Sequence, residues 1–504
     1  MSRYLCFLLS CFSATAATYY VDSGRTSSGD GSADSPWKLL SDINWTTVSN
    51  STLTSATTLY LSSRGTWNPP GQEITPHAMG NASFRFTISG DQFYNLVASG
   101  TASWLAEAAG SRATLTGGAN FTLPASGAQF FTLRGLYFDS AIYSAVFMLS
   151  PGPAVSNVFE VSTYNCACAY STNGHGYAGD NMTASCSNIL VSGCQFSNTI
   201  GEAIYIGRFD DLIGNVRGVV IESNLLVNCG QPGHEGDIDI KPPATGAIVR
   251  YNTSFHSSHT LQAPFCGVVV GANNCEVYGN VFHGAETNES AGWGVGIFIN
   301  ADGDGSTGKA VTSCLIYNNL IYDCENVGIK IIASSGTAGA DISGVKLWNN
   351  TVWGNWVNGL SCSASGGNTI TIAALTNNIF GGNTNYDVVF STGVTLSGVD
   401  YNLYYRAAGN CWQVAGAGKT WAQWQALGYD AHGANVDPVF VSTSNFQLQV
   451  SSPAINTGAT VANFSTDLLQ GTRGAVWDIG AYEFVTAAVL TNHPAIKPKG
   501  GRRR

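Results

Sequence analysis

The sequence predicts an all-β solenoid: a right-handed parallel β-helix with an N-terminal helical cap and a C-terminal closing segment. Three observations predict it. A short apolar pattern carrying Asn returns about every thirty residues along the chain. Charged residues are only 11% of the 504, against roughly 25% in an average soluble domain. Gly is abundant (59 residues) and Met scarce (4), a composition suited to short strands with tight corners and poor for long helices.

The repeat is two alternating apolar residues, a polar residue or Gly, then Asn, then two apolar residues. Asn224, Asn252, Asn280, Asn319, Asn350 and Asn378 hold the same slot, and upstream Leu136, Asn165 and Cys194 hold it. From Leu136 onward the spacings are 29, 29, 30, 28, 28, 39, 31 and 28. A period near thirty also suits helical solenoids, but apolar residues here alternate with period two, which belongs to strands. Each repeat is therefore one coil of short strands, with Gly and Asn at corners that need left-handed backbone angles. The Asn column is expected at one corner, its amides bonding up and down the stack.

The ends follow from the same logic, because open coils expose apolar layers and unpaired strand edges. Residues 1–16 read as an export signal: Arg3, the apolar stretch Tyr4 to Phe12, then the small-x-small Ala14-Thr-Ala16. Residues 17–56 form the N-terminal cap, where Ser35 to Ile43 reads as an amphipathic helix with Ser35 as cap and Pro36 in the first turn. Residues 57–404 form the coil, which begins near Thr58. A Trp-rich closing segment occupies 405–486, and 487–504 is a disordered basic tail.

Composition also excludes functions. A net charge of −10 argues against nucleic acid, which needs a basic footprint. No run of roughly 18 apolar residues follows the signal, so no membrane span is expected. A secreted or cell-surface monomer is the expectation. Of 13 Cys, Cys6 and Cys11 lie in the signal, and the odd number left cannot all pair within one chain. Small buried thiols are the favoured reading over disulfides.

At this point a family likeness can be read. Thr18 to Asp22, Gly29 to Ser32 and Ser35-Pro-Trp37 resemble the N-terminal cap of secreted bacterial right-handed parallel β-helix proteins, the pectate lyase superfamily. The coils resemble their repeats, and Asp437-Pro-Val-Phe440, Ser452 to Asn456 and Asp478 to Phe484 resemble their closing segment. The resemblance covers nearly all of the chain after the signal. It implies the fold and secretion, and many members are polysaccharide lyases. Activity has to be argued from a site, because one fold hosts many functions.

A second strand recurs in each coil, aligning three columns expected to face outward. They are Ala203, Asp237, Gly267, Gly296, Gly328, Gly359; Tyr205, Asp239, Val269, Phe298, Lys330, Ser361; and Gly207, Lys241, Gly271, Asn300, Ile332, Ser363. The small residues leave room for a polymer along this face. One coil stands out, His234-Glu235-Gly-Asp237-Ile-Asp239-Ile-Lys241, whose alternation places Asp237, Asp239 and Lys241 on one side. Close carboxylates repel unless a cation relieves them. With Glu235 they would hold Ca²⁺, which pairs with a uronate carboxylate and acidifies the C5 proton. Lys241, or else Lys330, would abstract that proton, and Arg208 or Arg250 would clamp the substrate. Tyr205, Phe298, Asn300 and Lys330 would line its path, with Trp293 offering a further ring and Asp210 and Asp211 extending the acidic groove. Asp302 and Asp304, between glycines, resemble a second calcium loop. The expected function is calcium-assisted β-elimination of a uronate-containing polysaccharide. The alternatives are a glycoside hydrolase using Asp237 and Asp239 as acid and base, and a non-catalytic carbohydrate-binding surface protein.

Overall fold

The computed structural model describes residues 16–48, 55–62, 66–67, 73–74, 83–90, 113–115, 120–123, 130–139, 146–148, 161–164, 167–169, 177–179, 186–199, 201–207, 216–229, 236–256, 266–284, 294–301, 309–333, 339–406 and 409–485. Residues 1–15 of the expected export signal and the basic tail, with Asn165, Arg208, Asp210, Asp211, Glu235, Trp293, Asp302 and Asp304, lie outside them.

Among the described residues the strands fall into three long sheets of 15, 13 and 13 strands. The chain visits them in rotation. Val220–Glu222 lies in the first sheet, Leu225–Val227 in the second and Ile238–Ile240 in the third; Ile248–Arg250, Thr253–His256 and Cys266–Val270 then repeat the circuit. Each strand pairs in parallel with its counterpart one coil away, so the chain is a parallel β-helix.

Inward side chains stack in columns. In the first sheet Val191, Ile221, Val249, Val277, Ile316, Leu347 and Leu375 are successive register partners. In the second the column is Phe196, Leu226, Ser254, Phe282, Ile321, Val352, Phe380 and Tyr404. In the third it is Ile204, Ile238, Val268, Ile297, Ile329, Leu360, Val388 and Trp412. Together they build one continuous core. Ser254 interrupts the second column with a small polar side chain.

The asparagine corner forms as expected. Asn350 donates from Nδ2 to Ile316 O (2.9 Å) and Asn378 Oδ1 (2.9 Å), and accepts from the backbone N–H and Nδ2 of Asn319. The same linkage joins Asn224, Asn252, Asn280, Asn319, Asn350, Asn378 and Asn402, begins at the backbone N–H of Cys194 and ends on Asp430. Every amide is buried and satisfied, which holds the coils at one spacing.

The N-terminal end differs from expectation. The first sheet starts one strand earlier than Thr58: Ala17–Val21 pairs in register with Thr57–Leu61. No helix spans Ser35 to Ile43. Trp37 exchanges backbone hydrogen bonds with Tyr20 and Asp22, using the groups a helix would need, and only Leu40–Asp42 makes a 3₁₀ turn before a short helix at Trp45–Val48. The apolar side chains still do the capping, with Trp37, Leu40, Ile43 and Val48 buried in the core. At the other end the segment from 437 onward folds back along the outside of the coils. It is held by the first residue of each Asn-Asn pair, whose left-handed φ (53°, 50° and 58° at Asn318, Asn349 and Asn377) turns the amide outward. Asn318 donates to Thr466 O, Asn349 to Asp478 O and Asn377 to Ala459 O. Arg473, buried, donates to Asn318 Oδ1 (2.7 Å) and Glu483 Oε2 (3.0 Å).

Candidate functional site

The outer face of the third sheet carries the predicted central column. Tyr205, Asp239, Val269, Phe298, Lys330 and Ser361 are register partners in that order, and their chain neighbours Ile238, Ile240, Ile297, Ile299, Ile329 and Ile331 lie in the core. Alternation therefore aims this column away from the interior. Lys241 follows on the same side. Its Nζ lies 3.1 Å from Asp239 Oδ2 and 5.3 Å from the centre of the Tyr205 ring. Gly207, the register neighbour of Lys241, has φ +90°, and an added Cβ would come within 2.2 Å of Lys241 O; the close approach of these two coils requires glycine there.

The middle of this face is covered, while Tyr205, Lys330 and Ser361 are half-buried. Asp239 is 0% and Lys241 8% exposed. Val269, Val295 and Phe298 form an apolar cluster separate from the core, with Ile332 packed against it. Lys330 Nζ lies 5.3 Å from the centre of the Phe298 ring, and Asn300 is buried beside Ile332 in the adjoining column. The two lysines thus mark two places on one face: three coil spacings separate Asp239 from Lys330, about 14 Å at 4.8 Å each.

Asp237 is not on this face. The residues at 203, 237, 267, 296, 328 and 359 sit where the chain turns into the third sheet, and there the two-residue alternation breaks. A Cβ added to Gly267 would lie 2.5 Å from Phe282 Cδ1, to Gly296 2.4 Å from Ile321 Cγ2, and to Gly328 2.4 Å from Val352 Cγ1. This column points inward, and its glycines make room for the second sheet's apolar side chains rather than for a polymer. At Asp237 the facing residue is Ser254, and the carboxylate takes the vacated space. It accepts a hydrogen bond from Ser254 Oγ, and its Oδ1 lies 3.3 Å from His256 Nε2. At 1% exposure, burial pushes the Asp237 carboxyl above its ordinary range, opposed by the charge and hydrogen bonds of His256 and Ser254, with the nearby Glu202 adding to the rise. Ser254 and His256 went unread in the sequence, although a serine in an otherwise apolar column was the available signal.

The predicted calcium set therefore does not assemble from its described members, since Asp237 and Asp239 point to opposite sides of the sheet. Among the described residues no three His, Cys, Asp or Glu side chains gather as a metal ion would need. Arg250 is also displaced from its expected role. It stands on the outer face of the first sheet, where Nε lies 2.7 Å from Glu222 Oε2 and Nη1 donates to Tyr278 Oη (2.8 Å), and it does not meet Lys241. What the third sheet does bring together is Tyr205, Asp239 and Lys241: a desolvated ion pair beside an aromatic ring. No helix among the described residues is long and apolar enough to cross a membrane.

Residues 181–373 match the family described as right handed beta helix region. No curated protein matches the sequence. Among solved structures the chain is similar to pectate lyase Pel9A, at 15% identity over 93% of this chain and 97% of that one, with a TM-score of 0.47. It is also similar to the GH136 lacto-N-biosidase from Eubacterium ramulus (12% identity, 83% and 67% covered, TM-score 0.45) and to the PL6 family alginate lyase AlyGC (13%, 84% and 55%, 0.43). Three parallel sheets wound on one repeat, with residues 181–373 matching the β-helix region, give the chain the fold of a right-handed parallel β-helix.

Proposed function

We propose that the protein is carbohydrate-active and secreted, and that it cleaves a uronate-containing polysaccharide by β-elimination on the outer face of the third sheet. The observation that carries this reading is the Lys241–Asp239 pair beside Tyr205. A buried ion pair is costly to desolvate and gains little stability over apolar packing, so its presence beside an aromatic ring calls for a chemical use. In the proposed step a uronate carboxylate competes with Asp239 for the Lys241 cation. Transfer of the Lys241 proton to Asp239 leaves a neutral amine, which takes the proton from C5. The C5 electrons form the C4–C5 double bond as the C4–O bond breaks; the departing oxygen takes a proton from water, and the hydroxide left takes the proton held by Asp239, which restores the ion pair. Tyr205 supplies a flat apolar edge for a sugar ring. Lys330 and Asn300 would meet the polymer further along the axis. No step is routed through calcium, because the described carboxylates do not converge on one point.

A hydrolase using Asp237 and Asp239 fits less well, since an acid and base must flank one glycosidic bond and these two lie on opposite sides of a sheet. The test is a panel of pectate, alginate and glycosaminoglycan substrates, with ultraviolet absorbance of the unsaturated product followed with and without chelator. Elimination abolished in a folded Lys241→Ala variant supports the reading. Full elimination by that variant removes Lys241 from the mechanism. New reducing ends without the unsaturated product would replace the lyase by a hydrolase, and binding without cleavage would replace it by a carbohydrate-binding protein.

A further inference from the structure

Seven cysteines with described side chains are all buried, and none is in a disulfide: Cys194, Cys229, Cys275, Cys314, Cys324, Cys362 and Cys411. Most stack on other residue types. Cys194 sits above Asn224 in the asparagine ladder, and Cys362 lies between Ile331 and Phe390. Cys275 and Cys314 differ. At the corner where the third sheet gives way to the first, Val219, Ala247, Cys275, Cys314 and Val345 occupy the same position in five successive coils. Each is the residue just before the register partners Val220, Ile248, Glu276, Leu315 and Lys346, and the backbone N–H of Leu315 donates to Cys275 O (2.9 Å). The residues preceding the two cysteines, Asn274 and Ser313, share one left-handed conformation (φ 57° and 58°), so the two Cβ atoms leave the backbone in the same direction.

The two thiols therefore share one buried site. Adjacent parallel strands bring their Cα atoms to about 4.8 Å, inside the roughly 4.4–6.8 Å that a disulfide accepts. Cys314 Sγ reaches across to Ala272 O of the neighbouring coil (3.4 Å), while Cys275 Sγ contacts Asn273 O (3.5 Å). Above them the column holds only the small Ala247. We propose that Cys275 and Cys314 form an inter-coil disulfide when the chain folds in an oxidising environment. The oxidant is a disulfide donor such as oxidised glutathione. One thiolate attacks it to give a mixed disulfide and one glutathione thiolate; the second thiolate then displaces the other glutathione. Two protein thiols are oxidised, one disulfide donor is reduced to two thiols, and no other redox partner is needed. The reaction belongs to folding, before neighbouring coils shut the corner against solvent. The bond would staple two coils across the longest interval in the asparagine series, the 39 residues from Asn280 to Asn319, where closing a loop in the unfolded chain is entropically most costly.

The test uses the full chain refolded in a mixture of oxidised and reduced glutathione, then denatured and alkylated without reductant. Trypsin cuts at Lys309, between the two cysteines, leaving them on peptides 251–309 and 310–330. The expected result is a linked peptide pair, two hydrogen atoms lighter than the sum of the free peptides, whose fragments locate the bond at Cys275 and Cys314. Reductant should lower the thermal midpoint of the wild type by roughly 3–6 °C. A Cys275→Ser variant should melt at the reduced midpoint whether or not reductant is added. Full alkylation of both cysteines after oxidative refolding, or a bond located to any other pair, overturns the proposal.

Discussion

Replacing Asp387 by asparagine should make the protein more stable at neutral pH and remove part of its pH dependence. Asp387 lies in the third sheet at the inward corner position, 0% exposed. Its Oδ1 accepts from Asn383 Nδ2 (2.7 Å), whereas Oδ2 has no hydrogen-bond partner. Burial pushes its carboxyl up to about 7 from an ordinary 3.8, against the opposing hydrogen bond from Asn383 and the charge of Arg406. A rise of about 3 units corresponds to about 4 kcal/mol at 1.36 kcal/mol per unit. Because the folded value is the higher one, the folded protein holds more protons than the unfolded chain between about pH 4 and pH 7. Stability therefore falls as pH rises through that window and is flat above it. Asparagine keeps the oxygen that Asn383 uses and cannot ionise. Its advantage over the wild type should grow from nothing near pH 4 to as much as about 4 kcal/mol at pH 8, less a pH-independent cost for an amide group that finds no acceptor. Equilibrium guanidinium unfolding of both proteins at several pH values between these limits measures it. A variant whose stability follows the same pH slope as the wild type would refute the assignment of that slope to Asp387.

Three further outcomes follow from packing. Gly296→Ala should cost about 1–3 kcal/mol through overpacking, because its Cβ would meet Ile321 Cγ2 at 2.4 Å and Gly328 O at 2.8 Å; Gly246→Ala, with nothing within 4 Å, carries only left-handed strain and should cost less in the same denaturant titration. Asn350→Ala leaves buried donors and acceptors on Ile316, Asn319 and Asn378 unsatisfied and should destabilise by about 3 kcal/mol or more, whereas Asn349→Ala should mainly speed hydrogen exchange around residues 478–481, which its amide holds. Arg473→Met should cost about 3–5 kcal/mol by stranding Glu483 and the outward amide of Asn318, and limited proteolysis should then release the closing segment before the coils unfold.

Much of the architecture was legible because a solenoid writes one geometry over and over. The column Tyr205, Asp239, Val269, Phe298, Lys330, Ser361 was aligned correctly from spacing alone, and the buried ladder from Asn224 to Asn378 followed from one residue type returning at one position. Local strain and packing were less legible. Asp237 and Asp239 look alike in an alternating pattern, but one precedes the strand at a corner and the other lies within it. Their opposite directions depend on which side chain faces each from another sheet, Phe282 and Ile321 against the glycines, Ser254 against Asp237. The outward turn of Asn318, Asn349 and Asn377, beside inward neighbours of the same type, was invisible for the same reason.

The sequence by itself determined the period, and with it which residues stack on which, because hydrogen-bonded parallel coils force each repeat into register with the next. Only the tertiary structure decided the sense of side chains at the corners, the burial of the Lys241–Asp239 pair and the return of the closing segment along the outside of the stack. Those depend on contacts between residues far apart in the chain, such as Asn318 with Arg473, where no local periodicity records which surfaces will meet.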